Sequence, residues 1–158
     1  MDRSDVAGRS MTPAGGERLL GVLDGAECRR LLTTASIGRI AFTEGAMPAI
    51  QPASFAISGN DVLIPTGLGS KMAAGSRGAV LALEVDDYDL IQRTGWNVTV
   101  IGPSRLISDP SHVTALDALG VSPWAPATTH CYIALHMAVV RGRSIFSPGS
   151  ASSQELHG

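Results

Sequence analysis

Short apolar runs, punctuated by glycine, proline and Asn/Asp turns, set the organisation of this chain. Leu19, Leu20, Val22 and Leu23 form the first apolar cluster. Asp24 then caps a predicted helix from Gly25 to Thr34, with Cys28, Leu31 and Leu32 on its inner side. Arg39 to Thr43 reads as a strand, Glu44-Gly45-Ala46 as a hairpin turn, and Met47 to Ile57 as the returning strand. Pro48 and Pro52 cannot donate to a ladder, so part of that strand faces either a sheet edge or bulge, or a bound planar ligand. After the turn at Ser58-Gly59-Asn60-Asp61 come a short apolar strand, a glycine-punctuated turn and a short helix opening at Ser70. Ala79 to Val85 is a continuous apolar run, expected to be buried on both faces, and Asp86-Asp87-Tyr88-Asp89 is expected to be an acidic loop. Gly95 to Ile107 is a long strand with a barrel-type bend at Gly102-Pro103. Asp109-Pro110 opens a helix reaching about Leu119, and His130 to Ile145 is one final strand.

Six strands and three short helices with hairpin-length connections predict a mainly β (α+β) fold: a six-stranded antiparallel barrel with short capping helices, not a βαβ arrangement. Residues 1–16 carry no periodic pattern and read as a disordered arm. Residues 17–146 form the domain, and the Gly/Ser-rich stretch 147–158 reads as a flexible tail.

Composition narrows the function. Hydrophobic residues make up 44% and charged residues 16%, as expected of a chain with a substantial core. Aromatics at 4% are too few for a series of stacking platforms, and a net charge of −2 provides no basic field, so neither nucleic acid nor a membrane is expected as partner. Cys28 and Cys131 lie far apart and suit reduced thiols in a cytoplasmic protein. No signal-peptide pattern follows Met1, and no apolar run reaches membrane-spanning length. His130 and His136 share a strand face but have no third ligand at a fitting spacing, and the acidic run at 86–89 lacks the glycine of a calcium loop, so no metal is expected. No Ser/His/Asp or Cys/His set supports hydrolysis.

The stretch with chemical character is Thr66-Gly67-Leu68-Gly69-Ser70-Lys71. Its glycines permit a tight turn, while the hydroxyls of Thr66 and Ser70, the Lys71 ammonium and the opening amides of a helix converge on one spot. Such a spot suits an anion, and phosphate above all. An ordinary turn with a capping serine and a solvated lysine accounts for the same residues, and the P-loop spacing is absent.

Gly38-Arg39-Ile40-Ala41-Phe42, Met47-Pro48-Ala49-Ile50-Gln51-Pro52, Thr66 to Lys71, Glu84-Val85-Asp86-Asp87, Arg93 to Val98 and Pro123-Trp124-Ala125-Pro126 occur in an order that resembles one known family. This is the pyridoxamine 5′-phosphate oxidase-like branch of the FMN-binding split-barrel proteins, and the match covers about residues 20 to 145. The resemblance implies a homodimer with a flavin at the subunit interface, usually FMN. A related branch uses F420, and some members hold haem. It places the cofactor phosphate on Thr66, Ser70 and Lys71, with Gly67 and Gly69 permitting backbone approach. It lays the backbone of Ala49 to Phe55 along the ring, with Pro52, Ala53, Ser54 and Phe55 as its candidate contacts; Trp96 is a candidate to flank the ring or close the groove. Buried core is the alternative for Trp96, and Trp124 is a candidate to reach the partner's site. Pro65 stands where many relatives have an arginine, a loss of about 1.5–3 kcal/mol of charge-assisted contact that Arg77 or Arg39 would have to offset.

The implied function is hydride or two-electron transfer to or from a small-molecule substrate. No catalytic side chain is assigned. The alternatives are a non-catalytic protein that stores or senses FMN, F420 or a haem-like ligand, and a ligand-free dimeric scaffold.

Overall fold

The computed structural model describes residues 16–70, 72–73, 76–123, 126 and 130–148. Lys71, Trp124, the arm up to residue 15 and the tail from residue 149 lie outside the described residues. The elements are β1 (Leu19–Leu23), α1 (Gly25–Thr33), β2 (Ile37–Glu44), β3 (Met47–Ser54), β4 (Ala56–Ser58), β5 (Asp61–Gly67), β6 (Val80–Asp89), β7 (Thr94–Ile107), α2 (Pro110–Asp117), β8 (His130–His136) and β9 (Val139–Phe146).

All the strand pairings are antiparallel. The ladder runs β3-β2-β6-β7-β8-β5-β4, with β9 also on β7 and β1 on β9. β7 is the shared strand. It pairs with β6 and β9 up to the Gly102-Pro103 step, then with β8 from Ser104 onward. The expected bend is therefore where β7 passes from one sheet to the other. A Cβ on Gly102 would lie 1.8 Å from the carbonyl oxygen of His136, so only glycine lets the two backbones approach this closely. Among the described residues the ladder does not close, because β3 has no partner there beyond β2, although it comes near β5. The result is a split barrel.

Alternation explains which faces are buried. Ile40, Phe42, Leu83, Val85, Val98 and Val100 point into the barrel and are at most 4% exposed. β5 and β8 supply Ile64, Ile133 and Leu135 from the other side. Outside the barrel a smaller cluster joins Leu63, Ile107, Tyr132 and Ala134 to Val113 of α2. Burying Val113 stabilises the docked helix by about 1.5–3 kcal/mol. Asp109 caps α2 by accepting from the His112 N–H at 3.0 Å, as the Asp-Pro signal predicted, and Asp24 caps α1 in the same way through Glu27. Cys28 is buried beneath β9, where a Cβ on Gly142 would lie 2.5 Å from its sulfur.

Several expectations need correction. Residues 80–85 are not buried on both faces: Val80 is 69% exposed and half-buried Ala82 and Glu84 alternate with the core. Residues 86–89 are not a loop. They continue β6, held by pairing with β7 from Asn97 back to Thr94. Cross-strand hydrogen bonding here overrides the low strand propensity of aspartate. The final strand is two strands, because β8 gives way to β9 at Met137-Ala138. The strand begun at Met47 likewise breaks at Phe55, whose N–H leaves the ladder for the Ser36 carbonyl, and the Leu19–Leu23 cluster is itself a strand on β9. These changes turn six expected strands into nine.

Candidate functional site

β5 delivers Thr66 to the rim of the barrel, and the chain then turns. The Ser70 N–H donates to the Gly67 carbonyl at 3.1 Å, and Gly69 has φ +86°, a value that favours glycine at the third position of such a turn. Gly69 serves conformation, since a Cβ there would meet no described residue within 4 Å. Ser70 then caps the helical turn containing Met72 and Ala73: its Oγ accepts from the Ala73 N–H at 3.0 Å. The Thr66 and Ser70 hydroxyls lie 3.1 Å apart, and Thr66 is 5% exposed. Two hydroxyls carry two protons, and one fills the space between them. The other remains available to a ligand. Of the groups expected to converge here, the Thr66 and Ser70 hydroxyls meet, while Lys71 lies outside the described residues.

β3 is the edge strand at one end of the ladder. Pro48 and Pro52 occupy alternate positions opposite Thr43 and Arg39, which puts their missing N–H on the free side of this edge strand. Pro52 is exposed and Ser54 half-buried on the outer face, whereas Ala53 and Phe55 are 2% and 4% exposed in the core. Ala53 and Phe55 can therefore offer a ligand only backbone. β3 contacts β5, the strand that leads into the Thr66–Ser70 turn, and its Ala53 packs in the same barrel core as Ile64 of β5. Trp96 does not join them. It is packed against the core near the far end of β7, opposite Asp87 and Ser144. β7 lies three strand positions from β3, about 14 Å across the sheet.

The two candidate substitutes for the missing arginine are in different circumstances. Arg39 is engaged by Glu84 at 3.2 Å and Asp86 at 3.3 Å, beside a hollow of about 220 Å³ that also touches Pro52. Burial, then the charge of Asp86, pushes the Glu84 carboxyl above its ordinary range, and Arg39 acts against both. Arg77 is exposed and has no hydrogen bond or ion pair with a described residue. Its charge is felt at Cys131, the strand partner of Thr66: burial pushes the Cys131 thiol up, and Arg77 draws it back. Pro65 itself is buried opposite Tyr132, on the face turned away from Thr66. Arg77 is thus a cation whose charge reaches the strand partner of Thr66, which sequence order alone does not reveal.

Beside the turn, His130 pairs with Gly67 in the ladder. His130 Nε2 and the Tyr132 hydroxyl both meet Asp117 Oδ1, at 2.7 and 2.8 Å. These hydrogen bonds, that of His130 foremost, hold the Asp117 carboxyl below its ordinary range. Burial, then Asp117, pushes the Tyr132 phenol up to about 12. At the other end of β8, His136 Nδ1 and Arg105 meet Asp61 at 3.2 and 2.8 Å. Burial alone would raise the Asp61 carboxyl, but these partners together lower it. The two histidines are thus each tied to a separate aspartate, and no metal-binding group of three His/Cys/Asp/Glu occurs among the described residues. Nor is any described helix long and apolar enough to cross a membrane.

Comparison with known proteins fits this architecture. The Mycobacterium tuberculosis protein Rv0080 is 35% identical over 125 residues, covering 76% of this chain and 82% of that protein. The FAD binding protein of Mycobacterium smegmatis superposes with a TM-score of 0.64 at 25% identity, covering 78% of this chain and 95% of its own. A FAD-binding protein of Mesorhizobium loti gives a TM-score of 0.66 at 22% identity, covering 83% and 100%. The family model described as pyridoxamine 5′-phosphate oxidase matches residues 24–144. With the split barrel and this match together, the chain belongs to the pyridoxamine 5′-phosphate oxidase family.

Proposed function

We propose that the protein is a flavin-dependent oxidoreductase acting on a small molecule, with the cofactor's phosphate at the Thr66–Ser70 turn and its ring along the free edge of β3. The observation that carries this reading is the hydroxyl pair of Thr66 and Ser70, 3.1 Å apart, at the end of a strand that contacts β3, an edge strand among the described residues. Ser70 and Thr66 between them offer one O–H to an anion. Arg77, whose charge reaches the strand partner of Thr66, supplies positive charge, and Lys71 is a further candidate cation by sequence. The bound flavin would supply the two-electron chemistry. The chain's part is to hold the phosphate, present backbone N–H and C=O groups to the ring edge, and exclude water with Ala53 and Phe55 beneath. FMN is the favoured cofactor, with F420 as the alternative and haem less favoured. The similarity to FAD binding proteins makes FAD a cofactor to test beside them.

The outer face of the large sheet supports a homodimer. Ile50, Ala41, Ala82, Ile101 and Val139 pair in turn across five strands, forming one apolar row. The next row is Pro52, Arg39, Glu84, Thr99 and Arg141, which carries both signs of charge. An apolar stripe beside a mixed-charge stripe is suited to a second copy of itself across a two-fold axis.

The purified protein's visible spectrum tests the reading. Flavin bands that bleach with dithionite and return in air support the enzyme. A tightly held chromophore that never turns over supports the binding or sensing alternative. No binding of FMN, FAD, F420 or haem would leave the ligand-free scaffold.

A further inference from the structure

We propose that the groove at the open end of the β6–β7 hairpin is a second binding site, suited to a planar apolar molecule bearing one carboxylate. The outer hollow measures about 470 Å³ and is lined by Arg18, Tyr88, Leu90, Arg93, Thr94 and Ile145. It adjoins a hollow of about 450 Å³ that shares Tyr88 and Thr94 and reaches Trp96. A third, of about 420 Å³, shares Thr94 and Ile145 and reaches Phe146. The chain has only two Trp, two Tyr and three Phe, and Tyr88, Trp96 and Phe146 all border this one groove. Aromatic walls favour a flat ligand through stacking and edge contacts. Tyr88 can lie across the hairpin because its neighbour is glycine: a Cβ on Gly95 would come within 2.3 Å of Tyr88 Cδ1.

The charges select the sign. The Arg93 backbone N–H donates to the Asp89 carbonyl at 2.7 Å, but its guanidinium has no hydrogen bond or ion pair with a described residue. Arg18 is steadied by donating from Nε to the Gln92 carbonyl at 3.0 Å and from Nη1 to Gly16 at 3.3 Å, which leaves Nη2 for a ligand. Asp89 borders the outer hollow and Asp87 the adjoining one; Asp89 is partly committed, since its Oδ1 accepts the N–H groups of Ile91 and Gln92 at 2.9 and 2.8 Å. Further along, Arg30 is already paired with Glu27 at 2.6 Å. Two guanidinium groups over an apolar floor suit a carboxylate attached to a ring system. Leu90 and Ile91, 87% and 93% exposed at the hairpin tip, add apolar surface that such a ligand would cover in part. None of the residues lining this groove belongs to β3 or to the Thr66–Ser70 turn, so the inference does not depend on the flavin reading.

Calorimetric titration of the full chain with 2-naphthoate, and with neutral 2-naphthalenemethanol, tests the proposal. The expected result is one saturable site for the acid and binding at least about tenfold weaker for the alcohol, the loss of a charge-assisted contact. Arg93→Gln should weaken the acid by about tenfold and leave the alcohol unchanged. Leu90→Asp, at a position already exposed to water, should weaken both. Unaltered thermal midpoints in the two variants would show that the fold is intact. Absence of saturable binding, equal affinity for acid and alcohol, or indifference to both substitutions would overturn the proposal.

Discussion

The cleft at Thr66–Ser70 and the groove at the β6–β7 hairpin lie on one barrel but are assembled in opposite ways. The cleft's polar groups come from five consecutive residues, fixed by a local turn with Gly69 at φ +86° and a serine cap. The groove's walls come from residues as distant as Arg18, Tyr88 and Ile145, which meet only because β1 pairs with β9 and β9 with β7. A site coded by neighbours in the chain is sensitive to local conformation. A site coded by strand order is sensitive to whatever holds the strands in order.

The largest expected effect is at Gly102, where β7 changes sheets. Gly102→Val would press a side chain into the His136 carbonyl 1.8 Å away and remove the bend on which both regions depend. A loss of about 3 kcal/mol or more in urea unfolding is expected, the upper end of overpacking costs. A variant of near-normal stability would mean the two sheets are joined less tightly than this contact requires.

Ser70→Ala separates the regions. It removes the cap on Ala73 and the partner of Thr66, with an expected cost of about 1 kcal/mol in stability. Binding at the hairpin groove should not change. Gly69→Ala should cost a similar amount, about 1 kcal/mol, through backbone conformation alone, since no described residue obstructs the added methyl group. If Gly69→Ala instead weakens flavin without altering stability, the glycine's service is to the ligand and not to the turn.

The smallest effects are those of pH at the α2 junction beside the cleft. Asp117 is held below the ordinary range, so its contribution is complete above the unfolded value of about 3.9 and is lost as acid carries the pH down through the folded value. Tyr132 has the opposite sign. Its folded value of about 12 lies above the unfolded value of about 10, so its contribution holds below about 10 and is lost as pH rises through the folded value. Asp117→Asn should therefore lower the alkaline step of phenolate absorbance and weaken the acid dependence of stability. An unmoved phenolate step would assign the Tyr132 shift to burial alone.

The same contrast governs what could be read from the sequence. The Asp24 and Asp109 caps, the Gly102-Pro103 corner and the order of elements were legible because each is a local signal with a local cause. The continuation of β6 through Asp86 to Asp89 was not, because its cause is a ladder with residues on β7, and three aspartates argue against a strand when read alone. Leu19–Leu23 likewise becomes a strand only by pairing with β9. Within the candidate site, the Thr66–Ser70 contact followed from spacing. The placement of Trp96 away from β3, and of Arg77 near Cys131 while Arg39 is occupied by Glu84 and Asp86, is tertiary information that the sequence order does not carry.

The most direct test of the central claim compares FMN with riboflavin, which has the same ring and no phosphate, in equilibrium titrations of the wild type and of Ser70→Ala. The account predicts that FMN binds the wild type at least about tenfold more tightly than riboflavin, and that Ser70→Ala removes most of this difference while leaving riboflavin unchanged. Equal affinities of the wild type for the two would contradict a phosphate seat at the Thr66–Ser70 turn.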